Sequence, residues 1–135
     1  MKELTLDATI ANIDAVTDFV NAELDAADCP IKTRTQIDVA IDELFSNITN
    51  YAYAPGSGSA TVRVEFEKDP LCVVITFLDQ GKPYDPLQKE DPDVTLAVED
   101  RPIGGLGVFI VKKTMDDISY ERRDGQNILT IKKNI

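Results

Sequence analysis

The feature that most constrains the fold is an uninterrupted apolar run from Leu71 to Leu78, rich in β-branched residues. Such a run is typical of a strand buried on both faces, because a half-exposed strand alternates apolar and polar residues. An acid and a turn glycine follow directly, in Asp79-Gln80-Gly81. Ligand contacts are common at such strand ends in α/β sheets, although Asp and Gly also favour plain turns for backbone reasons.

Other segments predict a sheet that is exposed on one face. Residues 61–67 alternate, with Val62, Val64 and Phe66 on one side and charged residues on the other. The turn sequence Arg123-Asp124-Gly125 is a strong hairpin signal. The predicted strands are residues 2–6, 61–67, 71–78, 118–122 and 126–132.

Two helices are predicted before and after residue 30 by apolar residues spaced three and four apart. The first spans about residues 10–27. The second also carries Glu43, Asn47 and Asn50 at positions i, i+4 and i+7, so a carboxylate and two amides project together from its other face. That row is either a solvated surface or a binding site. The apolar positions of the two helices are Ile13, Val16, Val20 and Leu24, and Ile37, Ile41, Leu44, Phe45, Ile48 and Ala52.

A glycine-rich segment, Gly104-Gly105-Leu106-Gly107, precedes a third helical pattern that begins at Val108. Glycines allow the backbone to approach a phosphate, and the free N–H groups of a helix N-terminus favour an anion. A flexible hinge before a core helix would look the same. The segment is not a P-loop, since no Gly-Lys-Ser/Thr follows, and it lacks the G-x-G-x-x-G spacing of a dinucleotide fingerprint.

Composition excludes several classes of function. The chain has 135 residues, which suits one compact domain over residues 1–135, and it contains no histidine. A phosphoacceptor histidine, a Ser-His-Asp triad and a histidine-based metal site are therefore excluded. The formal net charge of −10 argues against a nucleic-acid partner. A nucleotide would need local compensation from Mg²⁺ and a helix N-terminus.

The two cysteines and the hydropathy of the chain predict a cellular location. Cys29 and Cys72 are far apart in sequence, which favours two reduced thiols. No run approaches the length of a membrane span, and residues 1–7 lack the apolar core of a signal peptide. We therefore expect a cytoplasmic protein without membrane contact.

Three motifs, taken in their order along the chain, resemble the GHKL ATPase superfamily, which includes gyrase and histidine kinases. They are Glu43-Leu44-Phe45-Ser46-Asn47, the segment 79–86 that begins with Asp79-Gln80-Gly81, and Gly104-Gly105-Leu106-Gly107. The closest likeness is to the anti-sigma-factor serine kinases of bacterial partner-switching systems, whose ending is similar to residues 105–133. The resemblance implies an α+β fold of the Bergerat type, a two-layer α/β sandwich with a mixed, mostly antiparallel sheet and all helices on one face.

The resemblance also implies roles at the phosphate end of an ATP site. Asn47 would ligate Mg²⁺ through its amide oxygen, as this hard cation prefers. Glu43, one turn earlier, would be the general base that deprotonates an attacking hydroxyl. Gly104, Gly105 and Gly107 would end a lid, formed by residues 87–103, whose amides wrap the phosphates.

Three further residues would form the adenine end of that site. Asp79 would accept a hydrogen bond from the adenine amino group, where guanine presents an oxygen. Gly81 would let the base lie close to the backbone, and Thr130 would add a hydroxyl near the adenine and Asp79. The chain departs from family patterns at Tyr51, where many members carry histidine, and at residues 82–86, where histidine kinases carry a second glycine.

The function implied by the resemblance is an ATP- and Mg²⁺-dependent serine/threonine protein kinase and anti-sigma factor. Its substrate would be a Ser or Thr hydroxyl of a small STAS-type anti-anti-sigma protein, a sigma factor would be a second partner, and the chain would be a homodimer. Three alternatives stay open: a non-catalytic ATP-binding module that sequesters a partner protein, a GHKL ATPase that releases phosphate, and an interaction domain that has lost the nucleotide.

Overall fold

The computed structural model describes residues 1–53, 56–88 and 106–135, which form strands and helices close to those that the sequence predicts. Single turns of 3₁₀ helix at Ile10–Asn12 and Pro86–Gln88 and a π-helical turn at Ile48–Ala52 accompany them. The strands are β1 (Lys2–Asp7), β2 (Ser59–Glu67), β3 (Cys72–Asp79), β4 (Asp117–Arg123) and β5 (Gln126–Asn134). The α-helices are α1 (Ile13–Ala26), α2 (Ile31–Asn47) and α3 (Leu106–Thr114).

The five strands form one sheet in the order β1-β2-β3-β5-β4, with each neighbouring pair antiparallel. The central position of β3 explains its apolar run, since only Thr76 within the strand is not buried. The prediction of a strand buried on both faces is therefore confirmed.

The hairpin between β4 and β5 turns through two residues whose backbone is left-handed. Asp124 and Gly125 have φ values of 53° and 76°, and Arg123 pairs with Gln126 across the turn. Two successive positive φ angles characterise a type I′ turn, whose twist matches that of the flanking strands. This turn fixes the register of β5 against β4.

One face of the sheet carries all three of these α-helices. Val16, Val20 and Leu24 of α1 are fully buried in a core that also contains the apolar face of α2 and Val111 of α3. Alternate residues of β2 and β3 reach the same core, including Val62 and Phe77 among others. The intervening residues of β2, such as Arg63 and Glu65, lie on the opposite face, as strand alternation requires. The two-layer α+β sandwich is confirmed.

The end of α2 differs from the predicted regular helix, because Ile48–Ala52 forms a π-helical turn. A π turn advances the helix by about one extra residue. The row predicted for Glu43, Asn47 and Asn50 is therefore broken after Asn47. Asn47 is only 9% exposed, whereas Asn50 is exposed to solvent.

Both cysteines are free thiols, as the sequence predicts. Burial raises the pKa of the Cys29 thiol and of the Cys72 thiol above the ordinary value. Within residues 1–53, 56–88 and 106–135, none of the helices combines the length and the apolar character needed to cross a bilayer.

Candidate functional site

A pocket of about 350 Å³, counting the space at its open mouth, lies between α2 and the helix-facing side of the sheet. Most of its wall is apolar, and its polar side chains come from Asn47, Asp79 and Asn127, with two tyrosines. The lining residues are Leu44, Asn47, Ile48, Ala52, Phe77, Asp79, Tyr84, Pro86, Tyr120, Asn127 and Leu129.

Asp79, the last residue of β3, presents a fixed carboxylate to this pocket and is 5% exposed. Its Oδ1 accepts hydrogen bonds of 2.9 Å from the backbone N–H of Gly81 and from Nδ2 of Asn127. Its Oδ2 has no hydrogen-bond partner within the part of the chain that the structure describes. Among the described residues, the protein thus holds one oxygen of Asp79 and leaves the other open to accept a hydrogen bond.

Gly81 is needed where the loop after β3 meets the π-helical turn. A Cβ atom on residue 81 would lie 2.3 Å from the carbonyl oxygen of Ala52. The next residue, Lys82, donates its backbone N–H to that same oxygen at 2.8 Å. The close approach that requires a glycine here is therefore to the backbone of residue 52, while the predicted approach of a base to Gly81 stays a prediction.

Glu43 and Asn47 form a polar pair one turn apart on α2. Nδ2 of Asn47 donates to Oε1 of Glu43 at 3.4 Å. This leaves Oδ1 of Asn47, which has no partner among the described residues, as an oxygen ligand. The described residues contain no group of three acidic, histidine or cysteine side chains that could hold a metal by themselves. An amide oxygen beside a carboxylate nevertheless fits Mg²⁺, which usually takes one or two protein ligands and completes its octahedron with water and phosphate oxygens.

Gly107 brings the first turn of α3 against the Glu43 carboxylate. A Cβ atom on residue 107 would lie 2.1 Å from Oε2 of Glu43 and 2.2 Å from its carboxyl carbon. The helix that follows the glycine-rich segment therefore begins beside the predicted base. Gly104 and Gly105, together with the predicted lid up to residue 103, lie outside the described residues.

The placement predicted for Thr130 beside Asp79 is wrong. Thr130 pairs with Thr76 of β3 and Ser119 of β4, whereas Asp79 pairs with Asn127. Its neighbours Leu129 and Ile131 belong to the core, so Thr130 lies on the face of β5 that is turned away from the helices. Three residues along a strand also correspond to about 10 Å.

Asn127 occupies the position that was predicted for Thr130, and the sequence reasoning missed it. It is 4% exposed, and its Nδ2 donates to Asp79 Oδ1 at 2.9 Å and to the carbonyl oxygen of Lys82 at 2.7 Å. Its Oδ1 accepts from the hydroxyl of Tyr120 and from the backbone N–H of Tyr84, the latter at 3.4 Å. The turn at Asp124-Gly125 was the signal that could have found it, because counting from that turn sets the register of β5.

Aromatic side chains border the mouth of the pocket. Tyr84 lines the pocket and stacks on Tyr51 with ring centroids 5.1 Å apart. Tyr53 joins the adjacent loops, since its hydroxyl donates to the carbonyl of Ser59 at 2.7 Å and accepts from the N–H of Gln80 at 2.8 Å. These contacts join the loop after β3 to the segment that follows α2, next to the elements that supply Asp79 and Asn47.

An antiparallel sheet covered by helices on one face, with this pocket between the layers, is the architecture of the GHKL class of ATP-binding domains. Residues 6–133 match the family described as the histidine kinase-like ATPase domain. The chain belongs to that family.

Several curated relatives are protein kinases. The chain is 31% identical over 100 residues to the serine/threonine-protein kinase BtrW of Bordetella bronchiseptica, a match that covers 74% of this chain and 70% of BtrW. It is 31% identical over 98 residues to the serine-protein kinase RsbW of Bacillus cereus and 29% identical over 96 residues to RsbW of Bacillus mycoides. Each of these two matches covers 70% of this chain and 60% of the RsbW protein.

Proposed function

We propose that the chain is an ATP- and Mg²⁺-dependent serine/threonine protein kinase. The observation that carries the proposal is the contact of the Glu43 carboxylate with Gly107 at the start of α3, in the same layer as Asn47 and the Asp79 pocket. A helix N-terminus favours phosphate groups, and a carboxylate beside it suits a general base. The kinase names of the relatives support the choice of phosphoryl transfer over other ATP-dependent reactions.

In this proposal the pocket binds adenine and the polar end of α2 performs the transfer. Oδ2 of Asp79 would accept a hydrogen bond from the adenine amino group. Asn47 would hold Mg²⁺ through its amide oxygen, and the ion would supply positive charge that offsets the phosphates. Glu43 takes the proton of the Ser or Thr hydroxyl. The hydroxyl oxygen then bonds to the γ-phosphorus while the bond from that phosphorus to the β–γ bridging oxygen breaks, and ADP leaves.

The resemblance to anti-sigma kinases extends the proposal to partners and setting. The acceptor would be a small STAS-type anti-anti-sigma protein, with a sigma factor as the second partner and a homodimer as the working state. The whole of residues 1–135 would act as a single kinase domain in the cytoplasm. The tyrosine pair Tyr51–Tyr84 at the pocket mouth would line the approach to the site.

The metal role of Asn47 is tested by calorimetric titration with ATP, with and without Mg²⁺, and with GTP as the base control. We expect wild-type chain to bind ATP in preference to GTP and to bind it more tightly when Mg²⁺ is present. Asn47→Ala should remove most of the Mg²⁺-dependent gain, since alanine offers no oxygen in place of the lost ligand. Asn50→Ala, an amide change on the exposed side of the same helix, is the matched control. An unaltered Mg²⁺ effect in Asn47→Ala would refute the ligand role.

The catalytic role of Glu43 is tested by Glu43→Gln, which keeps the size of the side chain and removes its basicity. ATP affinity should change little, whereas phosphate transfer from γ-labelled ATP to STAS-domain proteins of the same genome should fall by roughly 10²- to 10⁴-fold. Release of inorganic phosphate without an acceptor is measured in parallel, because it would identify an ATPase. Full transfer activity in Glu43→Gln would show that another group accepts the proton.

A further inference from the structure

Asn127 is the most completely hydrogen-bonded buried side chain at the pocket, and the roles proposed above leave it without a function. Its amide makes contacts on three sides: to the Asp79 carboxylate, to the loop carbonyl of Lys82 and to the hydroxyl of Tyr120. The backbone N–H of Tyr84 adds a fourth contact at 3.4 Å. Burying so polar a side chain is costly unless its groups are paired, and here both the nitrogen and the oxygen are paired.

We propose that Asn127 is a positioning residue that sets which oxygen of Asp79 reads the nucleobase. The inference rests on the proposed ATP site and assigns the base selectivity of that site to a residue other than the acid itself. By donating to Oδ1, Asn127 and the Gly81 N–H occupy one side of the carboxylate. Oδ2 alone then faces the ligand, as an acceptor at one fixed position.

The orientation of the Asn127 amide is set by its partners on both sides. The side toward Tyr84 and Tyr120 carries the oxygen, because the Tyr84 backbone N–H can only donate and the Tyr120 hydroxyl also donates there. The opposite side, toward Asp79 and the carbonyl of Lys82, must carry the NH₂ group, because both of those partners are acceptors. A reversed amide would place an oxygen against two acceptors. The amide in this orientation and the Gly81 N–H together hold Oδ1 of Asp79.

The same amide connects the Asp79 carboxylate to residues 82–86, the segment that follows Gly81. Its bond to the Lys82 carbonyl and its longer contact with the Tyr84 N–H hold residues 82–84, and Arg122 donates to the neighbouring carbonyl of Gly81 at 2.7 Å. Tyr84 and Pro86 of this segment line the pocket. A base that engages Oδ2 of Asp79 therefore contacts a network that continues directly into the pocket wall.

The test compares ATP with purine ribonucleoside triphosphate, which lacks the 6-amino group, by calorimetry at one Mg²⁺ concentration. Wild-type chain should bind ATP about 10-fold or more tightly than the analogue, the ratio expected for a hydrogen bond to a charged acceptor. Asn127→Ala should reduce this ratio to about threefold or less, mainly by weakening ATP. Asn134→Ala, the same substitution at an exposed position near the end of β5, is the matched control and should keep the wild-type ratio.

The ratio separates positioning from a merely structural contribution, since loss of pocket shape would weaken both nucleotides equally. Equal weakening in Asn127→Ala, or an unchanged ratio, overturns the inference and leaves the kinase proposal standing. Failure of wild-type chain to bind either nucleotide overturns both. Should Asn127→Ala not fold, Asn127→Leu keeps the approximate volume of the side chain and removes its donor to Asp79 Oδ1; a reduced ratio in this variant supports the inference, and the wild-type ratio overturns it.

Discussion

Gly107 lies so close to Glu43 that a side chain at residue 107 requires movement. Its nearest neighbours would be the carboxyl atoms of Glu43, at 2.1 to 2.7 Å, which form the far end of a flexible side chain. In Gly107→Ala we therefore expect Glu43 to rotate away while the fold is kept, since alanine favours a helix more than glycine does. Thermal stability should stay within about 1 kcal/mol of wild type, and phosphate transfer should fall at least about 10-fold.

Gly81→Ala is the contrasting substitution, because the obstacle there is backbone. The Ala52 carbonyl oxygen, 2.3 Å from the added carbon, also accepts the N–H of Lys82 and cannot rotate away. Unfolding in denaturant should show a loss of about 1–3 kcal/mol, the usual cost of forcing an extra carbon into a packed site. If both glycine variants lose stability alike, the Glu43 side chain is held more rigidly than its contacts indicate.

At the same scale, the site was predictable from sequence wherever a residue type carries its own chemical signal. Asp79 follows a buried strand, and Glu43 and Asn47 stand one helical turn apart, so the structure brings all three to one side of the sheet. Asn127 and Thr130 lie three residues apart on β5 and therefore on opposite faces of the sheet. The face on which each side chain lies follows from counting residues from the type I′ turn, and the residue type alone does not show it.

At the scale of elements, the packing of α1 against α2 half-buries a carboxylate. Oδ1 of Asp38 on α2 and Oδ1 of Asn21 on α1 are both buried without a hydrogen-bond partner in the described part of the chain. Burial raises the pKa of Asp38 above its usual value, against smaller opposing effects of Asn21 and Arg34. The folded protein thus holds this proton more tightly than the unfolded chain does.

Asp38→Asn should therefore raise the stability at neutral pH. A raised folded-state pKa gives stability that is fully present below the unfolded pKa, near 3.8, and is lost as pH rises through the folded pKa. A neutral amide does not lose this stability as pH rises. The Asp38→Asn variant should therefore be more stable than wild type at pH 7, and the difference should vanish below about pH 4. Chemical denaturation at both pH values measures it. Asp42→Asn, exposed on the same helix, should show no comparable pH-dependent gain, and a destabilised Asp38→Asn at pH 7 would contradict the assignment.

Helices and strands whose apolar residues repeat at a regular spacing were predicted to within a few residues. The exception is the π-helical turn Ile48–Ala52, which lies against residues distant in sequence. Alternation identified β2, and spacing of three and four identified α1 and α2. The π-helical turn has no such signal, because the apolar spacing through Ala52 reads as regular helix. Contact of Ala52 with Gly81 and Lys82, which are distant in sequence, accompanies the changed winding.

At the scale of the whole molecule, the net charge of −10 has to be carried by 135 residues. Ion pairs among the described residues offset little of the resulting repulsion. In four of them, including Arg34–Asp25 and Arg63–Glu3, the side chains are 33% to 63% exposed. Exposed pairs contribute about 0–1 kcal/mol each. Repulsion between the excess carboxylates should therefore outweigh attraction within the pairs, and salt screens both.

Added salt should consequently stabilise the nucleotide-free chain. Between about 10 mM and 200 mM NaCl the screening length falls from roughly 30 Å to less than about 10 Å, which removes most of the long-range repulsion while pairs in contact keep part of their attraction. We expect the melting temperature to rise by roughly 3–6 °C, the shift that about 1 kcal/mol produces in a domain of this size. Tetramethylammonium chloride should act as NaCl does, because screening depends on ionic strength and not on the cation. A melting temperature that falls with either salt would mean that the short-range ion pairs, rather than the excess of acidic residues, dominate the electrostatic free energy of the fold.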